Sequence, residues 1–525
     1  MVSFFGRSGA WRIFPLAGLC LLLAAATVSG QTTASAGGSG IDPDQVAAQA
    51  FQHLKARDYA RAERLFLWIR DSFPESPRVV EALLGLAEVE AAKGRTEPAR
   101  DLFSAFLLNF PDHPLAPRAR FKLGNIERAM EAATAEKAHS SRQIEPLIGA
   151  QVLVVGASHP DEVDRMFSGL AAAGLNTILV RVFHNAGDRY HGLVPEKWRD
   201  GRTGVYFQTR HAPVVTDLLP LYCKLAHRNG LKIYAWMTTR YADYGFSPDD
   251  SRYDRIFDLA SREYVRDKGL DIWNPASERY LVALFRDLAK NPIDGILFQD
   301  DLVSRHTTGF GASSRERYET DFGAKLAPDQ LYRGIYGAGN GRHYVREYTP
   351  GFWQWVDWKN RRILAIASML SATVRRERPD ARIALNFFYE AATSPRNALA
   401  WVSQSIERAE EGPFDYYAIM AYHRQMASEL SLDGPKTADL LGRMTAGLYR
   451  RVGDQSRIML KLQVRDWNTR ERIPPEEFRP VLDAVLKNAA PGAGPPSIVF
   501  VPVDGAEDLS AAGGMLKSIV YNSGQ

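Results

Sequence analysis

An alternation of short apolar runs with longer helix-like segments, beginning near residue 145, constrains the fold of this chain most. Segments such as Val215–Asn229, Ser277–Lys290 and Phe352–Glu377 separate the apolar runs. The strand-like runs are Val152–Val155, Thr177–Phe183, Lys232–Trp236, Gly295–Phe298, Arg382–Phe388, Tyr417–Met420, Ile458–Val464 and Ile498–Val501. Strand–helix alternation repeated in this way predicts an α/β fold, a (β/α)8 barrel over residues 145–525.

The segment before the predicted barrel contains an internal repeat. Tyr59–Phe66 recurs as Thr96–Phe103, and Phe73–Pro77 recurs as Phe110–Pro114, each 37 residues downstream. This period is close to the ~34 residues of tetratricopeptide repeats. We therefore expect residues 45–135 to form a small all-α domain resembling such repeats. Stacked helix pairs often present a binding surface, which points to a cell-envelope protein partner, although the repeats also suit a simple cap on the barrel.

The first thirty residues are typical of a secretory signal peptide. Arg7 and Arg12 are followed by the apolar run Ile13–Ala26 and by small residues up to position 30. We expect residues 1–30 to be a signal peptide and residues 31–44 a linker, which predicts a periplasmic or secreted protein. An uncleaved membrane anchor is the alternative. Only Cys223 lies beyond this segment, so no intrachain disulfide is expected in the exported chain.

The charge balance and the motifs exclude several classes of function. The chain has 65 Lys and Arg residues against 61 Asp and Glu, without a long basic block, which argues against a nucleic-acid partner. Closely spaced histidines and cysteine-rich metal motifs are not found, so we expect no metal site. A Gly-rich phosphate loop and a Gly-x-Ser-x-Gly elbow are also missing. The sequence predicts no cofactor.

The fourth strand-like run ends in two adjacent carboxylates, Asp300 and Asp301. Burial of two neighbouring carboxylates costs free energy unless they have partners or a chemical task. Carboxylates at the carboxyl ends of barrel strands usually take part in catalysis. The alternatives are that the pair caps the next helix or binds a structural cation.

If the barrel is correct, the residues at the ends of its strands share one face. The strands other than the fourth place there Arg181, His184, Trp236, Thr238, Arg240, Asn386, Tyr389, Glu390, Tyr422, His423, Gln463, Asp466, Trp467 and Asp504. Carboxylates, amides and aromatic rings are what a sugar site requires, because rings cover the apolar faces of pyranoses and polar groups bond to hydroxyls. Taken singly, each residue also suits a structural role: Glu390 could begin a helix, and Arg240 could form an ion pair with a nearby acid.

Four stretches carry a family resemblance. They are Val205–Pro213, Lys232–Met237, Asp294–Asp301, and Tyr417–Ala421 taken with Leu462–Trp467. Residues 150–510 resemble the C-terminal glycoside hydrolase domain of the PgaB family, which is like glycoside hydrolase family 153 and processes poly-β-1,6-N-acetyl-D-glucosamine. The resemblance implies a barrel that cleaves partially deacetylated β-1,6-linked glucosamine polymer, with an Asp of the Asp300-Asp301 motif as general acid. The first stretch adds Phe207, Arg210 and His211 as substrate-binding candidates.

Asp300 is the favoured general acid, because adjacent strand residues point to opposite sides and only one enters the barrel mouth easily. Its pKa would be raised by burial and by Asp301. Glu390 is the candidate for the second carboxylate, unless the 2-acetamido group of the substrate assists and no protein nucleophile is needed. Whether the configuration is retained or inverted stays open. The acids Asp300, Asp301, Glu390 and Asp466 would attract positively charged deacetylated sugars.

Two departures from the family matter. The helical repeats replace the family's NodB-type deacetylase, so we expect no deacetylation. The first strand continues as Val154–Glu162 (VVGASHPDE), where the family has an Asp-rich segment. The leading prediction is an exported, endo-acting glycoside hydrolase for an amino-sugar exopolysaccharide. The alternative is a non-catalytic exopolysaccharide-binding or export factor whose repeats dock on secretion machinery.

Overall fold

The computed structural model describes residues 42–127, 144–338, 342–488 and 496–513. The chain divides into two compact units, one ending at Thr134 and one beginning at Ala135. The predicted signal peptide and most of the predicted linker lie outside the described residues. Among the helices in the described ranges, none is long and apolar enough to cross a membrane.

The N-terminal unit consists of helices, as predicted. They are α1 (Pro43–Lys55), α2 (Tyr59–Ser72), α3 (Arg78–Ala92), α4 (Thr96–Asn109) and α5 (116–127). The repeated sequence has a structural counterpart, because Phe66 of α2 and Phe103 of α4 are both fully buried. Helix α3 approaches α2 closely, since a Cβ on Gly85 would lie 2.5 Å from the Phe66 ring. The helical repeats therefore pack with neighbouring helices, as such repeats must to bury their apolar faces.

The second unit is a closed barrel of parallel strands, which confirms the predicted fold class. The barrel strands are β1 (Ile148–Val152), β2 (Thr177–Arg181), β3 (Lys232–Met237), β4 (Gly295–Phe298), β5 (Arg382–Phe388), β6 (Tyr416–Ala421), β7 (Ile458–Gln463) and β8 (Ser497–Val501). Each strand pairs with its sequence neighbours, and β1 closes the barrel against β8. Strand β1 starts and ends earlier than predicted. Its limits follow from pairing with Thr177–Val180 of β2, which hydrophobicity alone does not reveal.

Helices and short ribbons connect the barrel strands. The helices are α6 (Pro160–Ala172), α7 (Leu219–Arg228), α8 (Pro275–Ala289), α9 (Ala312–Phe322), α10 (Pro328–Leu331), α11 (Pro350–Glu377), α12 (Glu390–Thr393), α13 (Pro395–Val402), α14 (Ile406–Ala409), α15 (His423–Leu430), α16 (Gly434–Val452) and α17 (Pro475–Leu486). Three antiparallel ribbons pair Phe183–His184 with Gly204–Val205, Tyr253–Phe257 with Tyr264–Leu270, and Tyr332–Ala338 with Arg342–Tyr348. Short 3-10 turns occupy Glu196–Trp198, Gln455–Arg457 and Ala506–Ala512.

The inside of the barrel changes from apolar to polar along the strands. Alternate residues of each strand point outward, as Ile296 and Phe298 do when they join the core beneath the helices. The inward residues near the middle form a separate apolar cluster that includes Tyr234, Leu297 and Met459. Beyond this cluster, toward the carboxyl ends, the buried polar residues that point inward include Gln151, Arg181, Asn386, Lys461 and Gln463. A polar layer therefore lies at the end of the barrel where (β/α)8 enzymes have their active sites.

Candidate active site at the carboxyl end of the barrel

The two adjacent aspartates after β4 have different surroundings. Asp301 is 3% exposed and accepts hydrogen bonds from the Thr238 hydroxyl at 2.7 Å, the Thr239 amide at 2.9 Å and the Tyr241 amide at 2.7 Å. Burial raises the pKa of Asp301, and these hydrogen bonds oppose the rise. Asp301 therefore joins the end of β4 to the loop after β3. Its oxygens are occupied by the protein itself.

Asp300 has no such set of donors. Among the described residues, none outside Asp300 itself donates a hydrogen bond to its carboxylate. Burial raises the pKa of Asp300, while the positive charges of Lys461 and Arg305 pull it down. A desolvated carboxyl group with a raised pKa is suited to proton donation. Asp300 as the general acid stays a prediction.

Lys461 of β7 is the main residue of this layer that sequence analysis missed. It is 1% exposed, and its ammonium group donates to the Asn386 side-chain oxygen at 3.2 Å. The ammonium also lies 5.7 Å from the centre of the Tyr422 ring. Burial lowers the pKa of Lys461 to about 8, and the charge of Asp300 opposes that shift. A lysine inside an otherwise apolar strand was the available signal, because a buried cation needs a partner.

An apolar cluster surrounds the polar layer at the mouth. It contains Leu153, Phe388, Met420, Tyr422, Val501 and Trp467. The rings of Tyr422 and Trp467 meet edge to face with centroids 5.2 Å apart. Burial and the charge of Asp300 hold the pKa of Tyr422 well above its ordinary value. Phe388 and Trp467 are half-buried and thus present aromatic surface close to Tyr422, the neighbour of Asp300. A pyranose site requires such a surface.

Several polar atoms of the layer have no hydrogen-bond partner within the described part of the chain. These atoms are Gln151 Oε1, Arg181 Nε, Trp236 Nε1, Gln299 Oε1 and Gln463 Oε1. Some of these side chains are fixed elsewhere, since Gln463 donates to the Arg465 carbonyl at 2.9 Å and Arg181 pairs with Asp188 at 3.2 Å. Buried unsatisfied atoms are rare in folded proteins, and hydroxyl groups of a ligand would satisfy them. Arg181, Trp236 and Gln463 thus stay good substrate-binding candidates.

The residues after β5 face a different neighbour. Glu390 begins α12, in agreement with the helix-start alternative. Burial raises the pKa of Glu390, and repulsion from Glu429 adds to the rise. The Tyr389 hydroxyl donates to Glu429 at 2.8 Å. The structure therefore groups Glu390 and Tyr389 with Glu429, whereas Asn386 belongs to the polar layer beside Lys461.

The stretch Val205–Pro213 does not bring its three candidates to the mouth. Phe207 is fully buried in the apolar core, so it offers no surface to a sugar. His211 lies 3.8 Å from Asp287 in the last turn of α8. Because α8 ends just before β4 begins, that turn lies beside the amino ends of the strands. Arg210 is exposed on the same segment. These contacts group none of the three candidates with Asp300 or Lys461, although Val205 itself pairs with Phe183 just beyond β2.

Asp466 also differs from expectation. Its carboxylate caps a turn by accepting from the amides of Asn468 and Thr469, and it pairs with Arg424 at 3.0 Å. The two amides, with Arg424, lower the pKa of Asp466 to about 2. Its charge is therefore neutralised locally and offers little attraction to a cationic sugar, while the adjacent Trp467 carries the contact with the mouth.

Other strand-end residues have structural partners. Arg240 is buried and pairs with Asp254 at 3.2 Å and with Asp267 at 2.6 Å, in agreement with the ion-pair alternative. The His184 ring bonds the Tyr206 hydroxyl at 2.8 Å, and His423 bonds Glu477 at 3.1 Å. Asp504 lies 3.7 Å from Arg465. Within the described ranges, no group of three or more His, Cys, Asp or Glu side chains is arranged to hold a metal ion.

Comparison with protein families assigns the chain. The model of hypothetical glycosyl hydrolase family 13 (GHL13) matches residues 196–494, more than half of the 525 residues. The chain belongs to this family. A search of curated proteins finds no match.

Solved structures contain the same barrel. The glycoside hydrolase domain of PgaB (BpsB) from Bordetella bronchiseptica aligns with a TM-score of 0.55 and 19% identity, covering 72% of this chain and 99% of that domain. A β-galactosidase from Rahnella sp. R3 gives a TM-score of 0.47 and 13% identity, covering 73% of this chain and 58% of that one. The catalytic domain of a β-amylase from Paenibacillus polymyxa gives 0.43 and 9%, covering 72% and 97%. The first likeness establishes the fold. The TM-scores of the other two are too low to support a conclusion. With the family match, the first likeness confirms the PgaB-like glycoside hydrolase domain.

Proposed function

We propose that this glycoside hydrolase barrel cleaves an amino-sugar polysaccharide of the β-1,6-linked N-acetylglucosamine type, with Asp300 as general acid. The observation that carries the proposal is the contrast between the two aspartates after β4. Asp301 is held by donors of the loop after β3, whereas the half-buried Asp300 is influenced by Lys461 and Tyr422 and has its oxygens free of such donors. A carboxyl group of the second kind is free to give a proton to a glycosidic oxygen.

In the proposed step, the Asp300 carboxyl group protonates the glycosidic oxygen as the bond to the anomeric carbon breaks. The positive charge that develops there needs a nucleophile or a stabilising group. Glu390 is less suited to that task, because it is grouped with Glu429. Assistance by the 2-acetamido group of the sugar fits this barrel better. In that case the acetamido oxygen bonds to the anomeric carbon as the leaving oxygen departs, which forms an oxazolinium ring. Water then attacks the same carbon, the bond to the acetamido oxygen breaks, and the proton lost by the water returns to the Asp300 carboxylate.

The aromatic rim supports a pyranose polymer as substrate. Phe388, Tyr422 and Trp467 lie at the mouth, and the unsatisfied amide oxygens of Gln151 and Gln463 lie below them. Such a combination covers a sugar ring and accepts from its hydroxyl or ammonium groups. The restriction to amino sugars rests on the likeness to the PgaB domain. Export of the chain and docking of its repeats on a cell-envelope protein stay predictions.

The test is mass spectrometry of defined, partially deacetylated β-1,6-glucosamine oligomers incubated with the full chain. We expect shorter oligomers from the unmutated protein, loss of cleavage by at least about 100-fold in Asp300→Asn, and retained cleavage in Asp301→Asn below its melting temperature. The reverse pattern would assign the acid to Asp301. Release of acetyl groups would contradict the prediction that the chain does not deacetylate.

One observation favours a second candidate, a polysaccharide-binding protein without turnover. Leu153, directly after β1, is an apolar member of the mouth cluster. The acids that follow it, Asp161 and Glu162, lie in the first turn of α6. Glu162 accepts from the amides of Ser158 and His159 at the helix start. In a cleft without a carboxylate on its first strand, the bound sugar is polarised less by the protein. Retardation of the polymer in affinity electrophoresis, with oligomers of unchanged length, would support this candidate over the enzyme.

A further inference from the structure

Lys461 is a buried cation in the interior of a barrel, where a positive charge is costly without a partner. The strand order places β4, β5, β6 and β7 side by side, so Asp300, Asn386, Tyr422 and Lys461 come from four adjacent strands or strand ends. Lys461 of β7 lies opposite Met420 of β6 in the register of the two strands. At 1% exposure the ammonium group cannot be solvated by bulk water. Its only described hydrogen bond to a side chain is to Asn386.

The charged and titratable groups around Asp300 come from every neighbouring element. Lys461 projects from β7, Arg305 follows β4, Tyr422 follows β6, and Asp301 is the next residue in the chain. Asp301 is engaged by the loop after β3, and the Tyr422 hydroxyl stays protonated at neutral pH. Arg305 lies in the loop beyond β4. Among the described residues, Lys461 is therefore the one buried cation of the barrel interior that acts on Asp300.

We propose that Lys461 is a positioning residue that sets the charge state of Asp300 and stabilises the carboxylate left after proton donation. This inference rests on the proposed function of Asp300. In the step, the O–H bond of Asp300 breaks, an O–H bond forms on the leaving glycosidic oxygen, and the anomeric C–O bond breaks. Lys461 keeps its proton throughout. Its positive charge offsets the negative charge that Asp300 gains in a desolvated site.

The activity test compares Lys461→Met with Lys461→Arg. Lys461→Met removes the positive charge that lowers the pKa of Asp300 most, so this pKa should rise. The alkaline limb of the pH–activity profile should therefore move to higher pH by about one unit or more. We expect kcat to fall at least about 10-fold with KM changed less than about threefold, because the proposed role of Lys461 is to act on Asp300 and not to bind the sugar. Lys461→Arg should return the limb toward its original position. An unmoved limb in Lys461→Met would assign Lys461 a structural role only.

A second measurement does not depend on turnover. Because the pKa of Lys461 is lowered to about 8 in the folded protein and is about 10.4 in an unfolded chain, the unfolded state binds more protons between these values. The melting temperature of the unmutated protein should thus rise relative to Lys461→Met from pH 8 to pH 10. In an Asp300→Asn background the same relative rise should begin at a lower pH, since the charge that supports Lys461 protonation is gone.

The two measurements separate the inference from the proposed function. A relative rise that begins at the same pH in both backgrounds would show that Asp300 and Lys461 are uncoupled and would overturn the inference. Coupling found in a protein that cleaves none of the oligomers would support the pair and refute the hydrolase proposal. Coupling together with the shifted alkaline limb would support both.

Discussion

Two buried polar clusters lie near the carboxyl end of the barrel, and they differ in how completely their atoms are paired. In the Arg240 cluster, each guanidinium nitrogen donates: Nε to the Leu270 carbonyl at 3.1 Å, Nη1 to the Val303 carbonyl at 2.6 Å, and Nη2 to Asp254 and Asp267. In the layer around Lys461, several amide and ring atoms have no described partner. A saturated cluster holds loops in place, whereas an unsaturated one is suited to a ligand.

The largest expected effect on stability is in the saturated cluster. Arg240→Met leaves the buried carboxyl groups of Asp254 and Asp267 without their cationic partner, which should lower the free energy of unfolding by about 3–5 kcal/mol. Urea denaturation followed by circular dichroism measures this loss. Asp300→Asn is the matched change in the unsaturated layer and should cost less than about 1 kcal/mol, because it removes a desolvated charge. Equal losses in the two variants would remove the distinction between the clusters.

The next effect compares the neighbours after β4. Asp301→Asn places an amide group among donors from Thr238, Thr239 and Tyr241. The charge-assisted hydrogen bonds are lost, and the new NH2 group faces other hydrogen-bond donors. We expect a loss of about 2–3 kcal/mol in urea denaturation. Turnover per folded molecule should change much less than in Asp300→Asn. An Asp301→Asn protein as stable as the unmutated one would show that the loop after β3 does not depend on this carboxylate.

A smaller effect is expected from pH. Burial and repulsion from Asp271 raise the pKa of Asp254 to about 8, well above its value in an unfolded chain. Between about pH 5 and pH 8 the folded state thus binds more protons, and the free energy of unfolding should fall as pH rises. Thermal unfolding at several pH values measures the slope. Asp254→Asn should flatten it, while a slope that persists in this variant would place the titration elsewhere.

Sequence predicted the barrel because the inward and outward positions of a parallel strand are both apolar, and such runs are visible without a structure. Its choice of Asp300 over Asp301 stays a prediction, because β4 ends at Phe298 and strand alternation does not extend to the two aspartates. It missed the limits of β1, which depend on pairing, whereas the limits of β4 (Gly295–Phe298) and β5 (Arg382–Phe388) agree with the structure. Lys461 was missed because a single lysine within a strand has no motif, and only the fold reveals its neighbours. The contacts of residues 207–211 were not predicted, because a family likeness in sequence does not show which elements a loop packs against.

The smallest expected effect concerns the segment 205–213. Arg210 is exposed, and its neighbour His211 contacts the last turn of α8 beside the amino ends of the strands. Arg210→Ala should therefore change stability by less than about 0.5 kcal/mol and leave kcat/KM for the oligomers within about twofold. Trp467→Ala, which removes an aromatic ring at the mouth, should lower kcat/KM about 10-fold in the same assay, because it removes contact area for the sugar. A loss in Arg210→Ala as large as that in Trp467→Ala would mean that the glycan extends to the segment 205–213. The polar layer would then be only one part of its binding path.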